Sequence, residues 1–136
     1  MDLVSLTYTS RARAGLQASD VDSIHRAALT YNPLDGITGL LVFNGDGFLQ
    51  IIEGGESAID DLVKRIVADP RHIDFEVRDR RTLAARFFPH WTMLRIDIDD
   101  DHAKGMAELK GEVGDRLDEP MLKMVSKSLG EISRSD

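Results

Sequence analysis

The 136-residue sequence predicts an α+β fold in which two helices cover one face of an antiparallel or mixed sheet. Five stretches rich in β-branched and aromatic residues indicate strands, and two stretches with apolar residues at helical spacing indicate helices. Their order along the chain is β-α-β-β-α-β-β, which is the order of the ferredoxin-like, split βαβ arrangement.

The first strand and the first helix are predicted from residue type and capping signals. Residues 3–10, LVSLTYTS, are typical of a strand. Ser19, with Asp22 three residues later, indicates the start of a helix. Asn32-Pro33 should end that helix, because the residue before a proline disfavours helical geometry.

A hairpin follows, with strands at residues 37–43 and 47–53 on either side of the turn sequence Asn44-Gly45-Asp46-Gly47. Ser57 and Asp60 then indicate a second helix, which should end near Asp69-Pro70. The last two strands are predicted at residues 75–83 and 91–98.

Residues 99–136 carry two further apolar stripes at helical spacing and predict two amphipathic helices, the second beginning at Asp118 and Pro120. The hairpin strands are apolar on both faces, so both faces of the sheet need cover. The C-terminal helices could cover the second face or form a dimer contact, and the sequence leaves both open. We therefore expect a domain at residues 1–98 and a helical extension at residues 99–136.

Composition narrows the class of protein. The net charge of −7 disfavours a nucleic-acid partner, and the lack of cysteine excludes disulfides and thiol catalysis. No apolar run reaches membrane-spanning length, so we expect a cytoplasmic protein without a membrane partner. The four histidines show no metal-ligand spacing, and no metal site is expected. The arginines at positions 78, 80, 81 and 86 are interpreted as a solvated strand edge.

One polar residue stands out within the apolar hairpin. Alternation places Gln50 on the same strand face as Phe48 and Ile52. A buried amide without partners costs about 1–3 kcal/mol, so another group should meet it. If Tyr8 shares that sheet face, the two side chains could hydrogen-bond each other and a ligand between the helices.

Four stretches identify a resemblance to a known family. LTYTS (6–10), YNPLDGITGLLVFNGDGFLQIIEG (31–54), ADPRH (68–72) and RFFPHWTM (86–93) resemble the BLUF family, the blue-light sensors that use flavin. The matching stretches follow the family's order and spacing over roughly residues 3–95. Residue 31 departs from the pattern, because Tyr31 replaces the polar residue that is frequent there.

The resemblance implies a flavin between the two helices, usually FAD, with FMN as the alternative. It implies that Tyr8 donates an electron and a proton after excitation, and that Gln50 bridges Tyr8 to the flavin. Asn32 would hold one edge of the ring, and Ile24 and Ile66 would sandwich it. The remaining implied residues are Arg65, Asp69, Arg71 and His72 around the pyrimidine edge and the tail, with Trp91 and Met93 as a relay towards the C-terminal helices.

The resulting expectation is a photoreceptor without enzymatic activity that signals to an unidentified protein partner, with self-association of the chain also plausible. A flavin-dependent oxidoreductase is the first alternative, although no residue pattern marks a substrate or nicotinamide pocket. A ferredoxin-like ligand or partner module without light sensitivity is the second.

Overall fold

A computed structural model describes residues 2–132 of the chain. The element order is the one that the sequence predicts, followed by the two C-terminal helices. The strands are β1 (Leu3–Ala12), β2 (Thr38–Phe43), β3 (Gly47–Gly55), β4 (His72–Leu83) and β5 (Leu94–Asp97), and the helices are α1 (Ala18–Tyr31), α2 (Glu56–Ala68), α3 (His102–Val113) and α4 (Glu119–Ile132), with a 3-10 turn at Asn32–Asp35.

The five strands form one mixed sheet in the order β4-β1-β3-β2-β5. Strand β5 runs parallel to β2, and the other neighbouring strands pair antiparallel. In the central pair, Tyr8 of β1 lies directly opposite Gln50 of β3. Directly opposed residues project to the same side of a sheet, so this register places both side chains on one face.

Each face of the sheet is covered by a pair of helices. Helices α1 and α2 pack on the face that carries Leu6, Tyr8 and Ile52. Helices α3 and α4 bury the opposite face, and their shared core contains Leu40 and Ile51. Each such aliphatic side chain contributes about 1.5–3 kcal/mol when fully buried. The C-terminal helices therefore cover the sheet of their own chain, which resolves the choice that the sequence left open.

The predicted start of α1 is wrong by two positions. Gln17, not Ser19, precedes the first helical turn, and the backbone N–H of Gln17 donates to Asp20 Oδ2 at 2.8 Å. The carboxylate three residues into the helix thus satisfies a backbone donor at the helix entrance.

The predicted start of α2 is wrong by two positions, whereas α1 and α2 end where the sequence predicts, after Tyr31 and Ala68. Strand β3 runs directly into α2, so Gly55 and not Ser57 caps that helix. Asn32 keeps helical geometry (φ −61°, ψ −38°) although it precedes Pro33. Here the chain continues into the 3-10 turn, and Pro33 is the second residue of that turn, where no N–H is required because the first turn of a helix leaves its N–H groups without intrahelical partners.

The last strand is shorter than predicted. Strand β5 begins at Leu94, so Trp91 and Met93 lie in the loop of residues 84–93 and not in the strand. The buried carboxylate of Glu53 anchors this loop by accepting hydrogen bonds from the backbone N–H groups of Phe87 (2.6 Å) and Phe88 (2.9 Å).

Three of the four arginines assigned to a strand edge, those at positions 78, 80 and 81, do lie on the edge strand β4. Arg86 lies beyond β4, and its guanidinium donates to Thr38 Oγ1, the Glu53 carbonyl and the Gly36 carbonyl at 2.8–2.9 Å. Arg86 therefore fixes the loop to the sheet and is not a solvated edge residue. Within residues 2–132, no helix has the length and apolar character that crossing a membrane requires.

Candidate functional site

A cavity of about 240 Å³ lies between α1 and α2 on the sheet face that carries Tyr8 and Gln50. Its walls are largely apolar, and its polar groups lie on the floor and at the mouth. The residues that line it are Tyr8, Ile24, Ala27, Ala28, Tyr31, Asn32, Gln50, Leu62, Arg65, Ile66, Asp69, Arg71 and His72.

A chain of hydrogen bonds forms the floor of the cavity. The hydroxyl of Tyr8 donates to Gln50 Oε1 at 2.5 Å, and Gln50 Nε2 donates to the sulfur of Met93 at 3.3 Å. Tyr8 is fully buried and Gln50 is 5% exposed. Both ends of the buried amide thus have partners, which explains how an apolar strand face accommodates it.

Tyr8 remains a neutral phenol in this environment. Burial raises the pKa of its hydroxyl far above the ordinary tyrosine value, and the nearby negative charge of Asp69 acts in the same direction. The ring also stacks on Phe75 with a centroid distance of 4.7 Å. The hydroxyl therefore holds its proton in a fixed direction, towards Gln50.

Asn32 brings an unpartnered donor to the cavity. The residue is 2% exposed, and its backbone carbonyl accepts a hydrogen bond from the N–H of Ile37 at 2.9 Å. Its side-chain Nδ2 has no hydrogen-bond partner among residues 2–132. A buried donor left unpaired costs about 1–3 kcal/mol, so this amide is suited to an acceptor atom of a ligand.

The mouth of the cavity contains two ion pairs. Arg65 of α2 pairs with Asp35 of the 3-10 turn at 3.3 Å. Arg71 pairs with Asp69 at 2.7 Å and also donates to Ser23 Oγ of α1 at 3.3 Å. Burial alone would raise the pKa of Asp69, but the hydrogen bonds from Arg71 outweigh it and hold that pKa below its usual value.

His72 lies at the start of β4, inside the cavity wall. It is 8% exposed, and its Nδ1 lies 2.6 Å from Ser10 Oγ. Burial lowers the pKa of the imidazole, so His72 is neutral at neutral pH.

The structure gathers all nine cavity residues named from the sequence around this one space. It adds Ala27, Ala28, Tyr31 and Leu62, of which the two alanines and the leucine follow the helical stripes and could have been found from them.

The two predicted relay residues lie on opposite faces. Met93 packs on the cavity side, whereas Trp91 packs with the core of the C-terminal helices. Trp91 stacks on Phe88 with a centroid distance of 5.1 Å, and the guanidinium of Arg116 lies 4.4 Å from the centre of its ring.

The residues around the cavity fit the isoalloxazine ring of a flavin. Such a ring is flat and largely apolar on its faces, and carries donors and acceptors on one edge, which match the apolar helix walls and the amides of Asn32 and Gln50. The volume lies just below the roughly 300 Å³ at which pockets for drug-sized ligands begin, so a phosphate tail would extend through the mouth. Among the residues described, no cluster of histidine and carboxylate groups could hold a metal ion.

The fold and the site define a ligand-binding α+β domain with a slot for a planar ring, and comparison with known proteins identifies the family. The family model described as "BLUF: Sensors of blue-light using FAD" matches residues 3–94. The chain therefore belongs to the BLUF family and is a blue-light sensor domain with FAD as the family's cofactor.

Relatives with curated names agree. Photoactivated adenylate cyclase subunit beta of Euglena gracilis is 36% identical over 92 residues, which are 67% of this chain and 11% of the cyclase subunit. The blue light- and temperature-regulated antirepressor BluF of Escherichia coli (strain K12) is 33% identical over 70 residues, covering 52% of this chain and 17% of the antirepressor. The chain thus spans only a small part of these proteins.

Solved structures extend the similarity to the C-terminal helices. The dark-state structure of the BLUF protein BlrB has 36% identity and a TM-score of 0.73, and the match covers 93% of this chain and 97% of that one. A manganese and cyclic-diGMP complex of Klebsiella pneumoniae BlrP1 has 30% identity and a TM-score of 0.79, covering 95% of this chain and 33% of that one.

Proposed function

We propose that the flavin ring lies in the cavity between α1 and α2 and that light changes the hydrogen bonds of Gln50. The observation that carries this proposal is the chain from the Tyr8 hydroxyl through the Gln50 amide to the Met93 sulfur, with distances of 2.5 and 3.3 Å. All three side chains are at least 95% buried, so a change in one hydrogen bond is not masked by solvent.

The walls and the mouth of the cavity would hold the cofactor. Ile24 and Ile66 face the space from the two helices and would contact the two faces of the ring, and Asn32 would donate its unpartnered amide N–H to the polar edge. The residues proposed for the pyrimidine edge and the tail are Arg65, Asp69, Arg71 and His72. FAD is the expected occupant, and FMN would offer the same ring to this cavity.

The residues on the floor suit a transfer of charge. An excited flavin is a strong oxidant. Tyr8 would give up an electron together with its proton, because burial disfavours any charged form of the phenol. The amide of Gln50 accepts a hydrogen bond from that hydroxyl through Oε1 and donates one to the Met93 sulfur through Nε2. After the proton returns, a rotated or tautomeric amide would present different groups to Tyr8 and Met93.

The output would travel through the loop of residues 84–93. Met93 contacts Gln50, and Trp91, two positions earlier, packs against the C-terminal helices beside Arg116. We therefore propose that residues 1–98 form the photosensory domain and that residues 99–136 transmit its state.

The proposed output is a contact with a cytoplasmic protein partner or a second copy of the chain, and not the turnover of a substrate. A cavity of about 240 Å³ that holds the flavin ring leaves little room for a second reactant.

Absorption spectra in the dark and after blue light test this function. The parent protein should show a flavin spectrum that keeps its shape and moves slightly to the red. A flavin–thiol adduct cannot form, because the chain has no cysteine. Tyr8→Phe should still bind flavin but lose the lasting red shift, because phenylalanine has no hydroxyl proton to give.

Tyr31→Phe is the matched control, since the chain has two tyrosines and both line the cavity. It should keep the red shift. A normal red shift in Tyr8→Phe would exclude Tyr8 as the donor, and bleaching of the main flavin band in the parent would contradict the proposed photochemistry.

A further inference from the structure

Helix α1 contacts the main chain of Met93 through His25. The His25 Nε2 atom lies 2.9 Å from the Met93 carbonyl oxygen. A carbonyl oxygen can only accept, so Nε2 carries the hydrogen and the imidazole donates. His25 follows Ile24, which lines the cavity, but is itself not a cavity residue.

The position of Met93 depends on the hydrogen bonds that hold its backbone and its side chain. It directly precedes β5, whose pairing with β2 begins at Leu94 opposite Leu40. Its side chain is 3% exposed, and its sulfur accepts the Gln50 amide at 3.3 Å. Met93 thus makes two contacts: its backbone carbonyl accepts from His25, and its side chain accepts from Gln50.

Helix α1 has a second tether to this region that does not involve Met93. Arg95 of β5 lies 2.5 Å from Asp22 of α1 and 2.9 Å from Asp97. A change in this ion pair would loosen α1 from β5 but leave the His25 contact in place. It therefore provides a control for a general effect of helix packing.

We propose that His25 is a positioning residue that fixes Met93 as the acceptor for Gln50 Nε2 and so sets the rate at which the lit state returns to the dark state. The proposal rests on the proposed function, in which Gln50 changes its partners after light. A sulfur atom is a weak acceptor, so the strength of its hydrogen bond with Gln50 Nε2 depends strongly on where the backbone holds the sulfur. If the sulfur also guides the amide back to its dark orientation, loss of the His25 contact should slow the return.

The test compares dark recovery of the red-shifted spectrum in three variants with that of the parent. His25→Phe keeps a ring but removes the donor, and should slow recovery about threefold to tenfold, the factor expected for one neutral hydrogen bond. His25→Gln keeps an N–H at a similar reach and should restore a rate near that of the parent. Asp22→Asn cuts the other tether and should also recover near the parent rate.

A second measurement does not depend on light. In protein labelled at the methionine methyl carbons, the Met93 signal is assigned by its loss in Met93→Leu. His25→Phe should shift or broaden that signal in the dark protein, while the signals of Met106 and Met121, which lie in the opposite core, stay in place. This result would support the positioning role of His25 even in a parent protein without a photocycle. The lack of a photocycle would count against the proposed function and not against the His25 contact.

The proposal is overturned by any of three results. These are a Met93 methyl signal that His25→Phe leaves unchanged, a recovery rate in His25→Phe within twofold of the parent, or an equal slowing in Asp22→Asn.

Discussion

Replacing Gln50 with leucine tests the central contact of the site. The substitution keeps the approximate volume of the side chain and suits an apolar strand, so a purely packing role would make it neutral or stabilising. The structure predicts the opposite sign. Leucine cannot accept the hydrogen bond of the Tyr8 hydroxyl, which is fully buried and currently donates to Gln50 Oε1 at 2.5 Å.

The magnitude follows from the hydroxyl that loses its partner. A buried hydroxyl left unsatisfied costs about 1–3 kcal/mol, whereas removal of both partners can be nearly neutral. We therefore expect Gln50→Leu to lower the free energy of unfolding and expect the double variant Tyr8→Phe/Gln50→Leu to regain most of the loss. The coupling free energy between the two positions should be about 1–3 kcal/mol.

The assay is urea denaturation of the flavin-free parent, the two single variants and the double variant. Removing the cofactor matters, because a ligand that binds only the folded state adds its own free energy of binding. The slope of the unfolding free energy with urea should be the same in all four proteins, so that differences in midpoint report stability.

Additive effects of the two substitutions, within about 0.5 kcal/mol, would refute the reasoning, because residues that do not interact show such additivity. With flavin bound, the sensor mechanism adds a second expectation. Gln50→Leu should retain the cofactor but lose the light-induced red shift. An unchanged red shift would mean that the side chain of Gln50 contributes only to packing.

Two further predictions concern pH and the C-terminal helices. The pKa of His72 is lowered in the folded protein, so its contribution to stability is fully present above the unfolded pKa of about 6.5 and is lost as the pH falls towards the folded value. Urea midpoints between pH 5 and 7.5 should therefore fall on acidification in the parent and fall less in His72→Gln; identical profiles would contradict this assignment. Removal of residues 100–136 should uncover the sheet face that carries Leu40 and Ile51 and lower solubility, while the red shift remains and light-dependent partner binding disappears. Light-dependent association that survives the truncation would mean that the signal leaves by another surface.

Several of the residues that line the cavity belong to local patterns in the sequence. Alternation along β3 placed Gln50 on one strand face, and helical spacing placed Ile24 and Ile66 on the inner stripes of α1 and α2. The roles of Tyr8 and Asn32 come from the family resemblance, and they remain proposals. The structure then brought these residues around one cavity.

Errors at element boundaries share a different cause. Ser19 and Ser57 carry good capping side chains, yet the helices begin at Ala18 and Glu56. The entry point of each helix is set by how the preceding segment joins the sheet, and β3 runs into α2 without a loop. Capping preference is worth about 1 kcal/mol, so tertiary connections outweigh it.

By itself, then, the amino-acid sequence determined the types and order of the elements, the need to cover both faces of the sheet, and the family of the chain. These depend on periodicity and on motifs, which are properties of neighbouring residues. Only the tertiary structure decided that α3 and α4 cover the chain's own sheet, that Arg86 anchors a loop, and that His25 holds the backbone of Met93. The contacts of Arg86 with Glu53 and of His25 with Met93 join residues 33 and 68 positions apart, so no local pattern encodes them. They arise only when packing of the two cores brings these segments together.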